Sequence, residues 1–310
     1  MDFIKFLKGK EPKRALVFGM GGGGDIVATI PTASFLKEFG YETFHGSIVW
    51  DRYVIDPKPG PRAVEELESC KIVNETIAIA YPETTVNGIE LTVSKAAKHF
   101  GEVVCLDITK GPKKLANGLK DFMEKESVSV LISIDSGGDV LAYGFESGLR
   151  SPLADSISLA AISEIEDSIV GVFGFGSDGE LRIEELLERI AFQMKVGGFL
   201  GCVSMGEEDF KQMKTLTEDV TTEASLIPLK AFEGNLGLEK IRFGRTVPVS
   251  PLSILTFYFR SSKLYESNVL AKSIIKTENI EDARRILNSL GIFTEMDFEF
   301  LIERKEIRWE

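Results

Sequence analysis

A run of four glycines followed by an aspartate, GGGGD at residues 21–25, carries the clearest chemical signal in this chain. It follows a short apolar segment at 15–19 and precedes a helical pattern at 26–39. A glycine loop between a strand and a helix can direct backbone N–H groups and a helix N-terminus at a phosphate or carboxylate. Four successive glycines are conformationally costly. We therefore favour a ligand-binding loop over a tight turn in which Asp25 only stabilises the helix N-terminus.

Gly19, Gly21 and Gly24 also match the G-x-G-x-x-G pattern of dinucleotide-binding folds, in the expected place between a first strand and a first helix. Asp51 follows the next apolar run, where a ribose-binding acid is expected. Asp25 weighs against this interpretation, because a carboxylate repels a pyrophosphate unless a cation lies between them. The predicted cofactor-binding residues are Gly19, Gly21, Gly22, Gly23, Gly24 and Asp51, together with Gly137 and Gly138 of the loop described next.

A second Gly-Asp loop, IDSGGD at 134–139, ends another apolar run. Asp135 and Asp139 lie four residues apart across a Gly-Gly hinge, and carboxylates at a strand end suit a hard cation such as Mg²⁺. They also suit hydroxyl or amine groups of a substrate, and an Asx-type turn needs no ligand at all. We predict that Asp135 and Asp139 are metal ligands, with Asp135 the stronger candidate. Further on, Ser151 and Pro152 are of the types favoured at the N-cap and first position of a helix.

The third loop is GFGSDGE at 174–180, again between a strand pattern and a helix pattern. Ser177 and Glu180 match a capping box, which explains these two residues without a function. In a doubly wound sheet, the carboxyl ends of the strands meet at the crevice where ligands bind. We therefore expect the three loops to converge, and predict that Asp25, Asp135 and Asp178 are catalytic residues.

An acidic crevice that binds an anionic ligand needs positive charge from elsewhere. The segment DRYVIDPKPGPR at 51–62 has three prolines that stiffen it, so Lys58 or Arg62 can be presented with little entropic cost. Arg150, just before the predicted helix start at Ser151, is a further candidate. We predict that Lys58, Arg62 and Arg150 bind substrate and that the segment is a lid or clamp, with a solvated surface position as the alternative for each residue.

These loops need a scaffold that brings strand ends together, and the first two-thirds of the chain predict one. Short apolar runs rich in β-branched residues alternate with helix-like stretches, which is typical of a parallel sheet with crossover helices. The predicted strands are 15–19, 47–50, 103–108, 128–134 and 169–175, and the predicted helices are 26–39, 63–70, 113–125, 152–164 and 180–195. We expect an α/β, Rossmann-like fold with a mostly parallel sheet and helices on both faces.

Two regions depart from this alternation. At 75–93, two β-like runs flank Asn87-Gly88, a strong turn pair, which predicts an inserted β-hairpin. After about Gly197 the pattern is less regular, with helices expected near 206–216, 264–275 and 280–290, a short β-like run at 240–245, and an apolar and aromatic run at 253–260. We predict a single α/β domain over 1–310 with a helical C-terminal extension. A boundary near 196–201, with 202–310 packing as the extension, is the alternative.

Composition excludes several classes of protein. The net charge of -12 argues against a nucleic-acid partner. Three widely spaced cysteines indicate buried thiols rather than a disulfide framework or thiolate metal site, and His45 and His99 have no spacing suited to a zinc site or a catalytic triad. No P-loop motif occurs, no apolar run is long enough to span a bilayer, and the apolar residues before Arg14 are too few for a signal peptide. We expect a cytoplasmic protein with a small-molecule ligand and no membrane partner, and a homo-oligomer stays open.

Four segments carry a resemblance to a known family: GGGGD, DRYVIDPKPGPR, IDSGGD and GLRSPLADS. Their sequences and spacing resemble those of an uncharacterised, largely archaeal family catalogued as domain of unknown function 1152. The resemblance covers most of the chain and implies a Rossmann-like α/β fold. It brings no established reaction and no catalytic roles.

Three hypotheses about function follow from the residues. The first is a metal-assisted transferase or hydrolase acting on a phosphorylated or nucleotide-type small molecule, with Mg²⁺ at Asp135 and Asp139. The second is an NAD(P)-dependent oxidoreductase with Asp51 on the ribose, although no well-placed proton donor accompanies the motif. The third is a non-catalytic protein that binds a metabolite at the same loops.

Overall fold

The computed structural model describes residues 2–241 and 244–307 of the chain. Its strands are β1 Arg14–Gly19, β2 Glu42–Ile48, β3 Lys71–Ile72, β4 Ile77–Ala80, β5 Thr85–Val86, β6 Ile89–Glu90, β7 Val103–Leu106, β8 Val130–Ser136, β9 Ile169–Phe173, β10 Phe199–Ser204, β11 Gly237–Lys240, β12 Thr246–Val249 and β13 Leu255–Arg260. Its α-helices are α1 Asp2–Lys8, α2 Thr29–Glu38, α3 Thr92–Phe100, α4 Gly111–Lys125, α5 Pro152–Ser163, α6 Ile183–Lys195, α7 Glu207–Asp219, α8 Leu226–Phe232, α9 Ser261–Ser267, α10 Val269–Ile274, α11 Ile280–Ser289 and α12 Glu295–Glu303.

Nine of the described strands form one sheet, in the order β10-β13-β9-β8-β1-β2-β7-β4-β3. The five central strands, β9, β8, β1, β2 and β7, run parallel to one another, while β10, β13, β4 and β3 at the two edges pair antiparallel. The chain adds β2 and β7 on one side of β1, and then β8 and β9 on its other side. The order therefore reverses between β1 and β8, and ligands bind at such a switch point in open α/β sheets.

The sheet is buried on both faces because successive side chains of each strand point to opposite sides. Leu16 and Phe18 of β1 belong to one apolar cluster, with side chains of α4, α5, α10 and α11. Ala15 and Val17 belong to a second cluster, with side chains of α1, α2, α3 and α7. The predicted Rossmann-like sheet with helices on both faces is thus confirmed.

Several local predictions differ from the structure. The segment 63–70 is not an α-helix: only Val64–Glu66 forms a 3₁₀ turn, and the backbone of Glu68 then pairs with Thr85, so tertiary pairing overrides helix propensity. The predicted hairpin is smaller than expected, since Asn87-Gly88 joins only β5 and β6 while β4 belongs to the main sheet. The helix expected at 264–275 is divided at Asn268, whose side chain caps α10 by accepting a hydrogen bond from the Ala271 N–H.

The C-terminal third contributes a strand to the main sheet. The run expected at 253–260 forms β13, which lies between β9 and β10. The β-like run expected at 240–245 includes 242–243, which lie outside the described residues, and β11 and β12 flank that gap as an antiparallel pair. Among the described helices, none has both the length and the apolar character needed to cross a bilayer.

Candidate functional site

A cavity of about 320 Å³ lies at the carboxyl ends of β1, β8 and β9. Its walls are the glycine loop after β1, the loops after β8 and β9, the first turn of α5, residues 221–224 and the first turns of α12. All three loops singled out from the sequence therefore meet at the switch point of the sheet. The predicted residues that line the cavity are Gly21, Gly22, Gly23, Gly24, Asp25, Asp51, Asp135, Asp139, Arg150 and Asp178.

The glycine loop after β1 folds back on its own aspartate. The Gly21 N–H donates a hydrogen bond of 3.0 Å to Asp25 Oδ2, so a group of the predicted phosphate cradle is already used within the loop. A Cβ at Gly19 would lie 2.6 Å from the Asp25 backbone carbon, so this glycine makes room for the loop and is not among the lining residues. Burial raises the pKa of Asp25 to about 7.

Asp135, Asp139 and Asp178 form a compact acidic group. One oxygen from each carboxylate lies within 4.8 Å of the others. Asp135 Oδ2 accepts a hydrogen bond of 3.1 Å from the Val140 N–H, which fixes the side chain at the end of β8. Asp178 Oδ1 accepts from the Glu180 N–H at 2.9 Å, whereas its Oδ2 is buried without a hydrogen-bond partner. The group therefore holds an oxygen atom that the described protein leaves unsatisfied.

Gly137 and Gly138 allow this group to assemble but are not among the residues that line the cavity. Both have positive φ angles, +124° and +129°, which favour glycine. A Cβ at Gly137 would lie 2.2 Å from Asp178 Oδ2. Their structural role is therefore close approach of the backbone, and the predicted cofactor contact stays a prediction.

The sequence interpretation missed five acidic residues of the cavity: Asp155, Glu180, Glu223, Glu295 and Glu299. Asp155 lies in the first turn of α5. Its Oδ1 is buried and has no hydrogen-bond partner. The position of Asp155 in the sequence was the available signal. A helix that follows a strand-end loop begins at the same edge of the sheet, so an acid in its first turn lies near the other loops.

The predicted capping box of Ser177 and Glu180 is wrong. Helix α6 begins later, at Ile183, and Glu185 closes its own box by accepting from the Arg182 N–H. Glu180 instead accepts hydrogen bonds from the backbone N–H groups of Arg150 and Ser151 and from Ser151 Oγ. The glutamate thus connects the loop after β9 to the start of α5, a contact across about 30 residues that a local motif does not reveal.

Helix α5 begins where the sequence predicts, with Ser151 at the N-cap followed by Pro152. Ser151 Oγ, however, donates to Asp139 and Glu180 and does not cap the helix. The N–H groups of Leu153 and Ala154 instead donate to the two carboxylate oxygens of Glu295, at 3.0 and 2.7 Å. A side chain from the C-terminal end of the chain therefore occupies the anion position at this helix N-terminus.

The electrostatics of the cavity are dominated by crowded acids. Burial first, and then repulsion by neighbouring carboxylates, raises the pKa values of Asp135, Asp139 and Asp155 well above their ordinary range. Burial likewise raises the pKa of Asp178 to about 7 and that of Glu295 to about 8. Enclosed carboxylates of this kind either hold protons near neutral pH or require a bound cation.

Two of the three predicted substrate-binding cations are not at the cavity. Lys58 pairs with Glu66, and the buried guanidinium of Arg62 pairs with Asp56 and Glu66. Because these carboxylates lie in or near the same loop, they hold the side chains away from the lining residues. Arg150 does line the cavity, and its guanidinium donates to the carbonyl oxygens of Ser147 and Leu149.

Asp51 lies in the cavity wall but has local partners. Its carboxylate accepts hydrogen bonds from the Thr92 N–H, at 2.9 Å, and from Thr92 Oγ1, at the start of α3. A ribose hydroxyl would have to compete with both donors. Arg52 and Arg245 are cavity-lining arginines that we did not single out, and Arg245 lies 3.4 Å from Glu180.

The histidines and cysteines lie outside the cavity lining. His45 stacks on Phe100, its Nδ1 is 2.8 Å from Thr29 Oγ1, and burial lowers its pKa to about 3. His99 pairs with Asp219. The three cysteines are free thiols, but only Cys105 is buried, so the expectation of buried thiols is wrong for Cys70 and Cys202.

The acidic group after β8 and β9 fits a hard divalent cation. Its donors are carboxylate oxygens, which Mg²⁺ and Ca²⁺ prefer. The unsatisfied Asp178 Oδ2 is the kind of atom that a cation would complete. Ser177 Oγ, which also lines the cavity, is buried without a partner as well and adds a neutral oxygen donor.

Comparison with known proteins places the chain in a family. No curated protein and no solved structure matches it significantly. The sequence profile of the family described as "Protein of unknown function (DUF1152)" matches residues 16–303. This span includes every described loop of the cavity and all of α12, and the resemblance seen in the four sequence segments is confirmed. The chain belongs to the DUF1152 family of proteins of unknown function.

Proposed function

We propose that the protein is an enzyme that binds Mg²⁺ at Asp135, Asp139 and Asp178 and a phosphorylated or nucleotide-type small molecule beside it. The observation that carries this proposal is the compact carboxylate group, with oxygens within 4.8 Å of one another and Asp178 Oδ2 buried without a partner. It lies at the switch point of the sheet, where α/β folds of this type bind ligands.

The other lining residues support a ligand that is partly anionic and partly apolar. Arg52, Arg150 and Arg245 supply positive charge, and Trp50, Ile55 and Phe298 supply apolar surface. The volume of about 320 Å³ is in the range of small-molecule sites. Mg²⁺ bound here would neutralise phosphate charge and orient the group that reacts. The reaction class we favour is therefore transfer or hydrolysis of a phosphorylated group.

The proposal is tested by thermal shift measurements and calorimetry on the intact chain. The panel contains nucleotides, sugar phosphates, NAD(P) and amino acids, each with Mg²⁺ and with a chelator. We expect Mg²⁺ to raise the melting temperature, and a phosphorylated compound to raise it further only when Mg²⁺ is present. A ligand at about a hundred times its Kd adds about 2.7 kcal/mol of stability.

A pair of variants makes the test specific. Asp178→Asn removes charge from the proposed metal group and should strongly reduce the Mg²⁺-dependent shift. Glu102→Gln removes one charge from an exposed position and should keep it. If neither Mg²⁺ nor any phosphorylated compound binds the unmodified chain, the proposal is wrong.

The same panel separates the alternatives. Metal-independent binding of NAD(P) would favour an oxidoreductase, although the contacts of Asp51 with Thr92 do not support that function. Tight binding of a metabolite without turnover would favour a binding protein.

A further inference from the structure

We propose a second cation site between Asp25 and Asp155, next to the first, so that Asp135 lies between two divalent cations that together hold a phosphate group. The inference rests on the proposed function and deepens it. It assigns roles to two acids, and it narrows the substrate class to a phosphate ester or polyphosphate whose oxygens contact both cations.

The geometry at Gly21 brings the two carboxylates together. A Cβ at this position would lie 2.7 Å from Asp25 Oδ2, 3.3 Å from Asp155 Oδ1 and 3.4 Å from Asp155 Oδ2. Asp25 comes from the glycine loop after β1, and Asp155 comes from the first turn of α5. The missing side chain of Gly21 therefore leaves a space that oxygens of two separate elements border.

One polar atom at this site has no partner in the described protein. Asp155 lines the cavity and is only 3% exposed, and its Oδ1 forms no hydrogen bond. Ser136, which follows Asp135 at the end of β8, also lines the cavity, and its hydroxyl lies beside the Asp25 carboxyl group. Buried polar atoms are nearly always satisfied, so the Asp155 oxygen indicates a partner that binds here.

The charges around Asp155 require compensation. Burial first, and then repulsion from Asp135 and from Asp25, raises the pKa of its carboxyl group. Like charges enclosed at short range cannot all ionise without a counter-charge. A cation between the two carboxylates supplies it.

The number of donors suits Mg²⁺ or Mn²⁺ completed by substrate. Mg²⁺ often takes only one or two carboxylates from a protein and fills its remaining positions with water and phosphate oxygens. Two such cations about 3.5–4 Å apart are the usual arrangement in enzymes that act on phosphate groups. Asp135 belongs to the first group, and its charge also acts on the carboxyl group of Asp155, so we assign it a position between the two sites.

The test counts cations directly and needs no substrate. Mn²⁺ is titrated into the metal-free chain, and free Mn²⁺ is followed by electron paramagnetic resonance. We expect two Mn²⁺ per chain, with a spin-coupled spectrum as the second site fills. Asp155→Asn should bind one Mn²⁺ without the coupled spectrum, and Glu102→Gln, at an exposed position, should bind two.

Each other outcome has a definite meaning. One Mn²⁺ per unmodified chain would overturn the second site and leave the proposed function standing. No bound Mn²⁺ would overturn both. Two coupled Mn²⁺ in Asp155→Asn would show that Asp155 does not hold the second cation, and the inference would be wrong. Circular dichroism of each variant checks that the fold is retained, and the count for the unmodified chain decides the question if a variant does not fold.

Discussion

At Gly21 an added Cβ would meet the carboxylates of both Asp25 and Asp155, whereas at Gly22 the nearest atom is Trp50 O at 3.8 Å. Gly22 has extended backbone angles, φ −126° and ψ 177°, which any residue can adopt. A Cβ at Gly23 would approach Asp51 Oδ1 at 3.1 Å, and one at Gly24 would approach Thr222 Cβ at 3.2 Å. The loop thus needs glycine most at the position that borders the two acids.

This difference gives a matched pair of alanine variants. Gly21→Ala should cost about 1–3 kcal/mol of stability through crowding, and should weaken binding of the second Mn²⁺ at least about tenfold by displacing Asp25 or Asp155. Gly22→Ala should change stability by less than about 1 kcal/mol, because it reduces the entropy of the unfolded chain without a clash. Chemical denaturation and Mn²⁺ titration measure both effects. Equal effects of the two substitutions would contradict the assigned geometry.

The raised pKa values predict how stability depends on pH. Burial raises the pKa of Asp25 and of Asp178 to about 7 in the folded chain, against about 3.9 in an unfolded chain. Between these values the folded state holds protons that the unfolded state has released, so stability falls as pH rises through 7. Without metal, the free energy of unfolding should be lower at pH 8 than at pH 6 by about 1 kcal/mol for each of the two groups.

Controls separate this effect from general surface charge. Asp178→Asn should flatten the dependence, whereas Glu102→Gln, an exposed position, should not. Added Mg²⁺ should restore stability at pH 8, where the carboxylates are ionised and can bind it. A metal-free chain that becomes more stable between pH 6 and pH 8 would show that these groups are not enclosed as the structure has them.

At the residue scale the sequence reveals acids in loops but not acids in helices. A local Gly-Asp pattern at strand ends identifies four of the acids: Asp25, Asp135, Asp139 and Asp178. Asp155 has the ordinary composition of a first-turn helix residue. Its place in the cavity depends on which loop lies opposite the start of α5. That relation arises only when β8 and β1 become neighbours in the sheet.

At the scale of elements, α12 joins two parts of the cavity wall. Glu295 accepts from the Leu153 and Ala154 N–H groups of α5. One turn later, Glu299 accepts from Trp50 Nε1 at 3.0 Å and from the Gly60 N–H at 2.7 Å. The same helix therefore holds the start of α5 and the segment after β2.

Removal of one of these contacts should loosen α5. Glu295→Ala leaves two N–H groups of the first turn of α5 without their acceptor. We expect the free energy of unfolding to fall by about 1–3 kcal/mol. Amide hydrogen exchange at Leu153 and Ala154 should become faster, since the opening is local. Glu303→Ala, at an exposed position of the same helix, should change neither quantity measurably. Similar results for both variants would mean that Glu295 is not the cap of α5.

The elements themselves were predicted unevenly, for physical reasons. Buried parallel strands and crossover helices have strong apolar patterns, and most of these predictions match the structure within a few residues, although β2 at Glu42–Ile48 overlaps the predicted 47–50 only at its end. The failures lie where a distant partner decides the conformation: the segment 63–70 pairs with Thr85, and α5 is capped from α12. Helices α1, α8 and α12 were not predicted.

At the scale of the whole molecule, the sheet crosses the alternative domain boundary at 196–201. β13 pairs antiparallel with both β9 and β10, and the pairing with β10 shifts register between Phe199 and Gly201. Tyr258 and Phe259 of β13 are fully buried. The apolar and aromatic run at 253–260 is evident in the sequence, but its place as β13 within the sheet is not, because the pairing of strands far apart in the chain leaves no local trace.

This arrangement predicts that the first two-thirds of the chain do not fold alone. A chain that ends at Val196 would lack β10, β13 and α12, which exposes the edge of β9 and the apolar side chains that Tyr258 and Phe259 cover. It would also lose the Glu295 cap of α5.

We expect this fragment to aggregate or to lack a cooperative melting transition, whereas a chain that ends at Glu303, the last residue of α12, should melt cooperatively. Near-ultraviolet circular dichroism, sedimentation and calorimetry distinguish these states. A soluble, monomeric fragment of 1–196 with a sharp transition would mean that the boundary at 196–201 separates two domains, and that β13 only packs onto a sheet that is already stable.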